Sequence, residues 1–252
     1  MSEHAAYDHD FFEPLARLEP QSFWFRARNR LIVATVQRHF GGARSLLEIG
    51  CGTGFVLTAL HPAFPGMRLV GSELFAEGLA VARRRLPPEV ELVQLDATRM
   101  PFRDEFDVVG AFDVLEHIDD DAGVLAGMHR ALVPGGGLVL LVPQHPGLWS
   151  EADRFARHRR RYTRADLLGK VERAGFERVV VSSWVTALLP AMLAARLVGR
   201  LRPRAYDPVR ELTPGPLNGV FERLLDAETA LIGRGLDLPA GGSLLVVARR
   251  PR

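Results

Sequence analysis

Five apolar runs of strand length, SLLEI (45–49), RLVGSE (68–73), VELVQLD (90–96), FDVVGAF (106–112) and GLVLLVP (137–143), are separated by segments of helical pattern such as EGLAVARRRL and DAGVLAGMHRAL. Strands alternating with helices demand βαβ units and a mostly parallel sheet. Such a sheet is covered on both faces, so its strands read as continuous apolar runs and not as alternating ones. Two later runs, RVVVSSW and SLLVVAR, bring the strand count to seven. VPGGG (133–137) reads as a helix stop leading straight into the fifth strand. No internal repeat or low-complexity tract interrupts the pattern.

Three segments break the rhythm: residues 1–43 ahead of the first strand, 144–165 after the fifth, and 185–242 between the last two. In open parallel sheets ligands bind beyond the carboxyl ends of the strands. Insertions folding over that edge act as caps, so the expectation is one domain, 1–252, with its binding core in 44–143 and caps in 144–165 and 185–242. With 252 residues, 47% of them apolar, the chain has enough material for that core.

Charge and targeting signals exclude several classes. A net charge of +2 argues against a general nucleic-acid binder. Lys170 is the single lysine, and Cys51 is the single cysteine, which leaves no disulfide framework and no cysteine-rich zinc site. The opening MSEHAAYDHD lacks a positive segment followed by an apolar one. WVTALLPAMLAA (184–195) contains a proline and is shorter than the roughly 20 residues of a membrane span. A soluble cytoplasmic protein is expected.

The first strand runs into LLEIGCGTGF (46–55). Glycines there let backbone approach a ligand at the N-terminus of the next helix. A dinucleotide loop needs G-x-G-x-x-G. Gly50 and Gly52 fit it, but Phe55 stands at the sixth position and the third glycine comes early, at Gly54, with Glu48 two residues ahead of the first. Glu73 ends the second run, where a carboxylate accepts from both hydroxyls of a ribose. Asp96 ends the third, placed to accept from a purine amino group. AFDVLEHI (111–118) closes the fourth.

LLEIGCGTG, GSEL, LDATRMPF, FDVVGAFDVLEHI and LVPGGGLVLLVP together resemble the successive motifs of class I S-adenosylmethionine-dependent methyltransferases, over residues 44–143. FWFRARNRLI, HRRRYTRADL and LPAGGSLLVVAR are similar, more weakly, to one subgroup. The resemblance implies an α/β, seven-stranded, mostly parallel Rossmann-like sheet with helices on both faces and helical cap insertions, binding S-adenosyl-L-methionine. It places Gly50, Gly52 and Gly54 under the methionine part and ribose, with Glu48 orienting the loop. Glu73 would hold the ribose hydroxyls and Leu74 pack on adenine. Asp96 and the Ala97 backbone would read the adenine edge, and Ala111 and Phe112 lie against the cofactor. Many members carry aspartate where Glu73 stands. A cation from the N-terminal helix often meets the cofactor carboxylate; Arg28 is the first candidate and Arg30 the second. Trp24 is read as a packing residue.

Methyl transfer from a sulfonium needs a base only when the acceptor has a proton to lose. His117, after the fourth strand, and His145, after the fifth, are the candidates, since imidazole titrates near neutrality. The chain lacks the Asn/Asp-Pro-Pro-aromatic sequence of base-methylating enzymes, and it shows no grouped acids resembling a catechol-type magnesium site, so no metal and no nucleic acid are expected. RFARHRRRYTR (154–164) packs six arginines and His158 into eleven positions, as a solvated surface or a clamp for a phosphate or carboxylate. The helix at 184–204, ending in Arg196, Arg200, Arg202 and Arg204, is either a buried lid or an interfacial helix in peripheral membrane contact. The expected acceptor is a small-molecule or lipid-linked metabolite, anionic in the clamp reading. Methylation at oxygen is preferred, with nitrogen or carbon, or a non-catalytic cofactor-binding scaffold, as alternatives.

Overall fold

The computed structural model describes residues 11–201 and 206–252. Seven strands form one sheet: β1 (Ser45–Ile49), β2 (Arg68–Glu73), β3 (Glu91–Gln94), β4 (Phe106–Phe112), β5 (Leu132–Pro143), β6 (Glu177–Trp184) and β7 (Ser243–Arg249), in the order β3-β2-β1-β4-β5-β7-β6. β1 to β5 pair in parallel, and β7 lies antiparallel between β5 and β6. The order reverses at β1 and β4, and a ligand crevice opens at such a switch point.

Period-two geometry sorts the apolar runs onto two faces. Leu46, Val108, Val139 and Val247 face one core, with α2 (Phe23–Phe40), α3 (Phe55–Ala63) and α4 (Ala76–Arg85). Their neighbours Leu47, Val109, Leu140 and Val246 face the other, with α5 (Asp121–Ala131) and α7 (Arg164–Arg173). Each buried Leu or Val contributes about 1.5–3 kcal/mol relative to an exposed one, so a run that is apolar at every position stabilises both layers. α2 buries Phe25, Arg28, Asn29, Ile32 and Val36, the three-and-four spacing of a helix laid on a sheet. α5 starts where the Asp120 side chain accepts from Gly123 N, and α7 where Thr163 accepts from Asp166 N.

The VPGGG segment departs from its sequence reading. α5 stops at Ala131 and β5 begins at Leu132, so the strand takes in the glycines instead of following them. The β4–β5 register jumps between the pairs Phe106–Leu132 and Val108–Gly137. The C-terminal tail accounts for the difference: Gly135 N donates to Arg250 O, and Arg250 N donates to Gly136 O. Backbone pairing with the tail draws the glycines into the strand, Gly135 with left-handed backbone at φ 80°.

The insertions are helical. Residues 144–165 carry α6 (Glu151–Phe155), fixed by a reciprocal cap between Ser150 and Asp153, and return through a bridge between Gln144 and Tyr162. The fully buried Tyr162 hydroxyl donates to Asp121 at 2.7 Å. α1 (Phe12–Leu18) precedes α2, while α8 (Leu189–Leu201), α9 (Pro208–Leu212) and α10 (Asn218–Gly233) make up the last insertion. It does not act as one cap. α10 lies along α2, burying Leu225 and Ile232, with Glu222 and Asp226 paired to Arg26 and Arg30. Among the described residues of this insertion, those lining the cleft at the strand ends lie between Val185 and Leu212, apart from Gly242. Among the described residues no helix is long and apolar enough to cross a membrane.

Candidate functional site

A cleft of about 900 Å³ opens at the carboxyl ends of β1 to β4, walled by α1 and α2 on one side and by the 144–162 loop and α8 on the other. Gly50, Gly52 and Gly54 all adopt left-handed backbone, with φ of 67°, 52° and 77°. They do not share one role. A Cβ on Gly52 meets nothing within 4 Å and points into open cleft, whereas one on Gly50 runs into Val114 and one on Gly54 into Leu86 and Ala82 of α4. Gly54 lets α4 pack and does not line the cleft; Gly50 and Gly52 do.

Glu73 is buried at the loop's side. Its carboxylate accepts from Gly52 N at 2.9 Å and from Phe75 N at 3.0 Å, tying the glycine loop to the turn after β2. Burial raises its pKa, against the lowering by these N–H groups. Leu74 stands 40% exposed on the cleft wall, beside Asp96 and Ala97. One oxygen of Asp96 accepts from Thr98 N and Oγ1, capping a short turn. Phe112 lines the cleft, but Ala111 does not: with alternate residues facing opposite ways, it is buried in the α5 core.

Arg28 sits on the cleft floor, its guanidinium donating to Asp113 at 2.8 Å and stacked over Trp24 and Phe25. Its Nε is buried without an acceptor. Glu48 is buried nearby, one oxygen without a donor, and desolvation pushes its pKa up to about 8. Arg30, the second candidate, is committed to Glu222 and Asp226 on the outer side of α2. Trp24 packs on Trp184 and also lines the cleft. Glu19, which the sequence reading passes over, comes from the end of α1; it accepts from Thr53 Oγ1 and pairs with Arg85 at 2.6 Å, clamping the glycine loop from above.

His117 lines the cleft and His145 does not. His145 has left-handed backbone, φ 62°, and its N–H donates to Tyr162 O, so it shapes the turn into the insertion. Burial, with the charge of His158, pulls the His117 imidazole down to about 3. The second imidazole at the cleft is instead His158, edge-on to His117 with ring centroids 4.7 Å apart. Its Nδ1 lies 2.9 Å from Asp153 Oδ1, and Arg161 and Ser150 also donate to that carboxylate, holding Asp153 well below the usual range against its burial. Glu116 faces the same pair, fully buried, its carboxyl pushed well above the ordinary range by desolvation and then by Asp113.

Five of the six arginines of the run form ion pairs within the molecule. Arg160 pairs with Asp121, Arg161 with Asp153, Arg164 with Asp237, Arg154 with Glu151 and, at 3.6 Å, Arg159 with Asp119. Two members of the run, Arg159 and Arg161, also line the cleft. Arg196 of α8 lines the cleft, and Arg202 and Arg204 lie outside the described residues.

A sheet in this order, with a glycine loop and with Glu73 and Asp96 at successive strand ends, is the arrangement of the class I S-adenosylmethionine-dependent methyltransferases. Residues 47–140 match the methyltransferase domain family. The chain is 31% identical over 150 residues to a demethylmenaquinone methyltransferase of Chlorobaculum tepidum, covering 58% of this chain and 59% of that one. It is also 31% identical over 131 residues to a ubiquinone biosynthesis O-methyltransferase of Thiobacillus denitrificans, covering 50% and 51%. The chain thus spans between half and three-fifths of these relatives' lengths. Among solved structures, phosphoethanolamine N-methyltransferase 2 of Haemonchus contortus in complex with S-adenosyl-L-methionine shares the fold, with TM-score 0.60 and 19% identity, over 88% of this chain and 52% of that one.

Proposed function

We propose that this chain moves the methyl group of S-adenosylmethionine to a small-molecule or lipid-linked acceptor, a hydroxyl by preference. The observation that carries the reading is Gly52. It is left-handed, open to the cleft and held by the Glu73 carboxylate, a cradle that any side chain would fill. Gly50, Gly52 and Glu48 carry the methionine side, Glu73 the ribose, and Leu74, Asp96, Ala97 and Phe112 the adenine side. The unpartnered Nε of Arg28 suits the cofactor's carboxylate. The bound cofactor supplies an electrophilic methyl on sulfur. What this chain adds is position and exclusion of water: Trp24, Phe25, Leu188 and Met192 make the far end of the cleft apolar. That end suits an aromatic head group of quinone type, in keeping with two relatives named for demethylmenaquinone and for ubiquinone biosynthesis.

Proton removal falls to the imidazole end. His117, held neutral, is a weak proton acceptor at a pKa of about 3, so the acidity of the hydroxyl has to supply the drive. On α8, Leu193, Leu197 and Val198 form an exposed apolar stripe, 52%, 59% and 57% accessible, which supports peripheral contact with a bilayer that holds a lipid-linked acceptor. Liposome flotation tests that contact; absence of binding to anionic vesicles removes it. The reaction is tested with methyl-labelled cofactor and a panel of hydroxylated quinol head groups and amines. Transfer to a hydroxyl supports the reading, transfer to carbon or nitrogen corrects the atom, and tight cofactor binding without transfer to any acceptor favours a scaffold.

A further inference from the structure

Glu116 is an anomaly among the buried polar groups. Its side chain is 0% exposed, and neither carboxylate oxygen has a hydrogen-bond partner. Buried carboxylates are almost always satisfied, so an orphan of this kind calls for a missing partner. Around it stand two imidazoles, the Asp113 carboxylate and, farther off, the Arg161 and Arg28 guanidiniums. One donor atom each from Glu116, His117 and His158 lie within 4.8 Å of one another, and His158 Nε2 stands 3.9 Å from Glu116 Oε1. Two atoms bound to one ion at about 2.1 Å stand roughly 3–4.2 Å apart, so the 3.9 Å pair already spans an ion, and the 4.8 Å set closes on one with side-chain movements of about half an ångström.

The outer contacts point the same way. A metal-bound histidine gives its other nitrogen to a carboxylate or a backbone carbonyl, which fixes the ring and its tautomer. His158 Nδ1 meets Asp153 Oδ1 at 2.9 Å, which turns Nε2 toward Glu116, and Asp153 is itself anchored by Arg161 Nε at 2.7 Å and Ser150 N at 2.8 Å. His117 is hydrogen-bonded to the Ala156 backbone. All three donors line the cleft.

We propose that Glu116, His117 and His158 bind one divalent transition-metal ion of the zinc type, with an open coordination position toward the cleft. Two imidazoles and one carboxylate are a zinc donor set that leaves a fourth position free, and imidazole selects zinc-like ions over magnesium. The sequence, having no grouped acids, carries no such expectation; the fold brings His158 to the Glu116–His117 pair across about forty residues of chain. The site itself does not depend on the methyltransferase reading. Its use does: on such an ion His117 would serve as a ligand instead of a proton acceptor, and a bound hydroxyl would become far more acidic.

The test is a Co²⁺ titration of the chelator-stripped, untagged full chain, read by visible absorption, with Zn²⁺ as competitor. One Co²⁺ per chain is expected, displaced by one Zn²⁺. Glu116→Gln and His158→Gln should each weaken binding at least about 100-fold, and Asp153→Asn by the roughly 10- to 100-fold typical of an outer partner. Circular dichroism and S-adenosylhomocysteine affinity of each variant report whether it is folded. Should a variant unfold, X-ray absorption of the wild-type Co²⁺ complex decides instead, two imidazole ligands being the supporting result. No absorption change, a complex without imidazole, or undiminished binding in both variants overturns the proposal; the last would place the ion elsewhere, the His4 and His9 segment included. S-adenosylhomocysteine binding is read separately, so failure of the metal site and failure of the cofactor reading are told apart.

Discussion

The two ends of the cleft are built differently. At the sheet end, the cleft is lined by backbone in one continuous stretch, Glu48 to Thr53, with Glu73 and Asp96 added from the next two strands. At the cap end, side chains come from separate places: Arg28 from α2, Glu116 and His117 from the turn after β4, His158 from the loop before α7, and Met192 from α8. A backbone cradle has to be written as adjacent residues of restricted type, because removing side chains is its function. A side-chain pocket needs only that the fold deliver each group. The first kind of site is local in sequence, and the second is not.

The largest effect expected at the sheet end is Gly52→Val. A β-branched residue at φ 52° is strained, and its side chain enters open cleft, so calorimetry should show cofactor binding lost while the fold survives. Glu73→Ala should follow with a loss of about 1.5–3 kcal/mol, roughly 10- to 150-fold in affinity. Asp96→Ala should cost less, since its partner on adenine is a neutral donor. Equal losses for the two would mean that Glu73 acts only by bracing the loop.

Smaller effects separate the parts of the cap. Addition of S-adenosylhomocysteine and acceptor should slow hydrogen exchange in α8 and leave α10 unchanged, because α10 is already docked on α2. Protection of both would restore a single lid. The Arg26 contact holds Glu222 down to about 2, below its ordinary 4.5. A depressed carboxylate contributes fully above its unfolded pKa and loses that contribution as pH falls through its folded one. Glu222→Gln should therefore lower stability by about 1 kcal/mol at pH 7, with the deficit vanishing between about pH 4.5 and 2 in urea titrations. Least of all, His145→Ala should leave turnover unchanged, since His145 is outside the cleft.

The strands and the sheet-end residues were legible because their physics is local: apolar runs without alternation, positive-φ glycines, acids at strand ends. Within that stretch two of the expected residues lie off the cleft lining. Period two turns Ala111 away from Phe112, and Gly54 meets α4, whose position no local pattern reveals. The cap end resisted more. His145 and His158 both stand near turns in a charged insertion, and only the return of the chain through Tyr162, with Asp153 holding the ring, separates them. The arginine run left a solvated surface and a clamp both open, because its partners Asp119, Asp121 and Asp237 lie well away in sequence.

The most direct measurement of the central claim is a crystal structure of the full chain with S-adenosylhomocysteine. The account predicts adenosine between Glu73 and Asp96 over Gly52, the amino-acid carboxylate at Arg28, and the sulfur toward the end of the cleft that holds His117 and His158. A ligand bound elsewhere, or one in this cleft with its adenine at the His117 end, would contradict it.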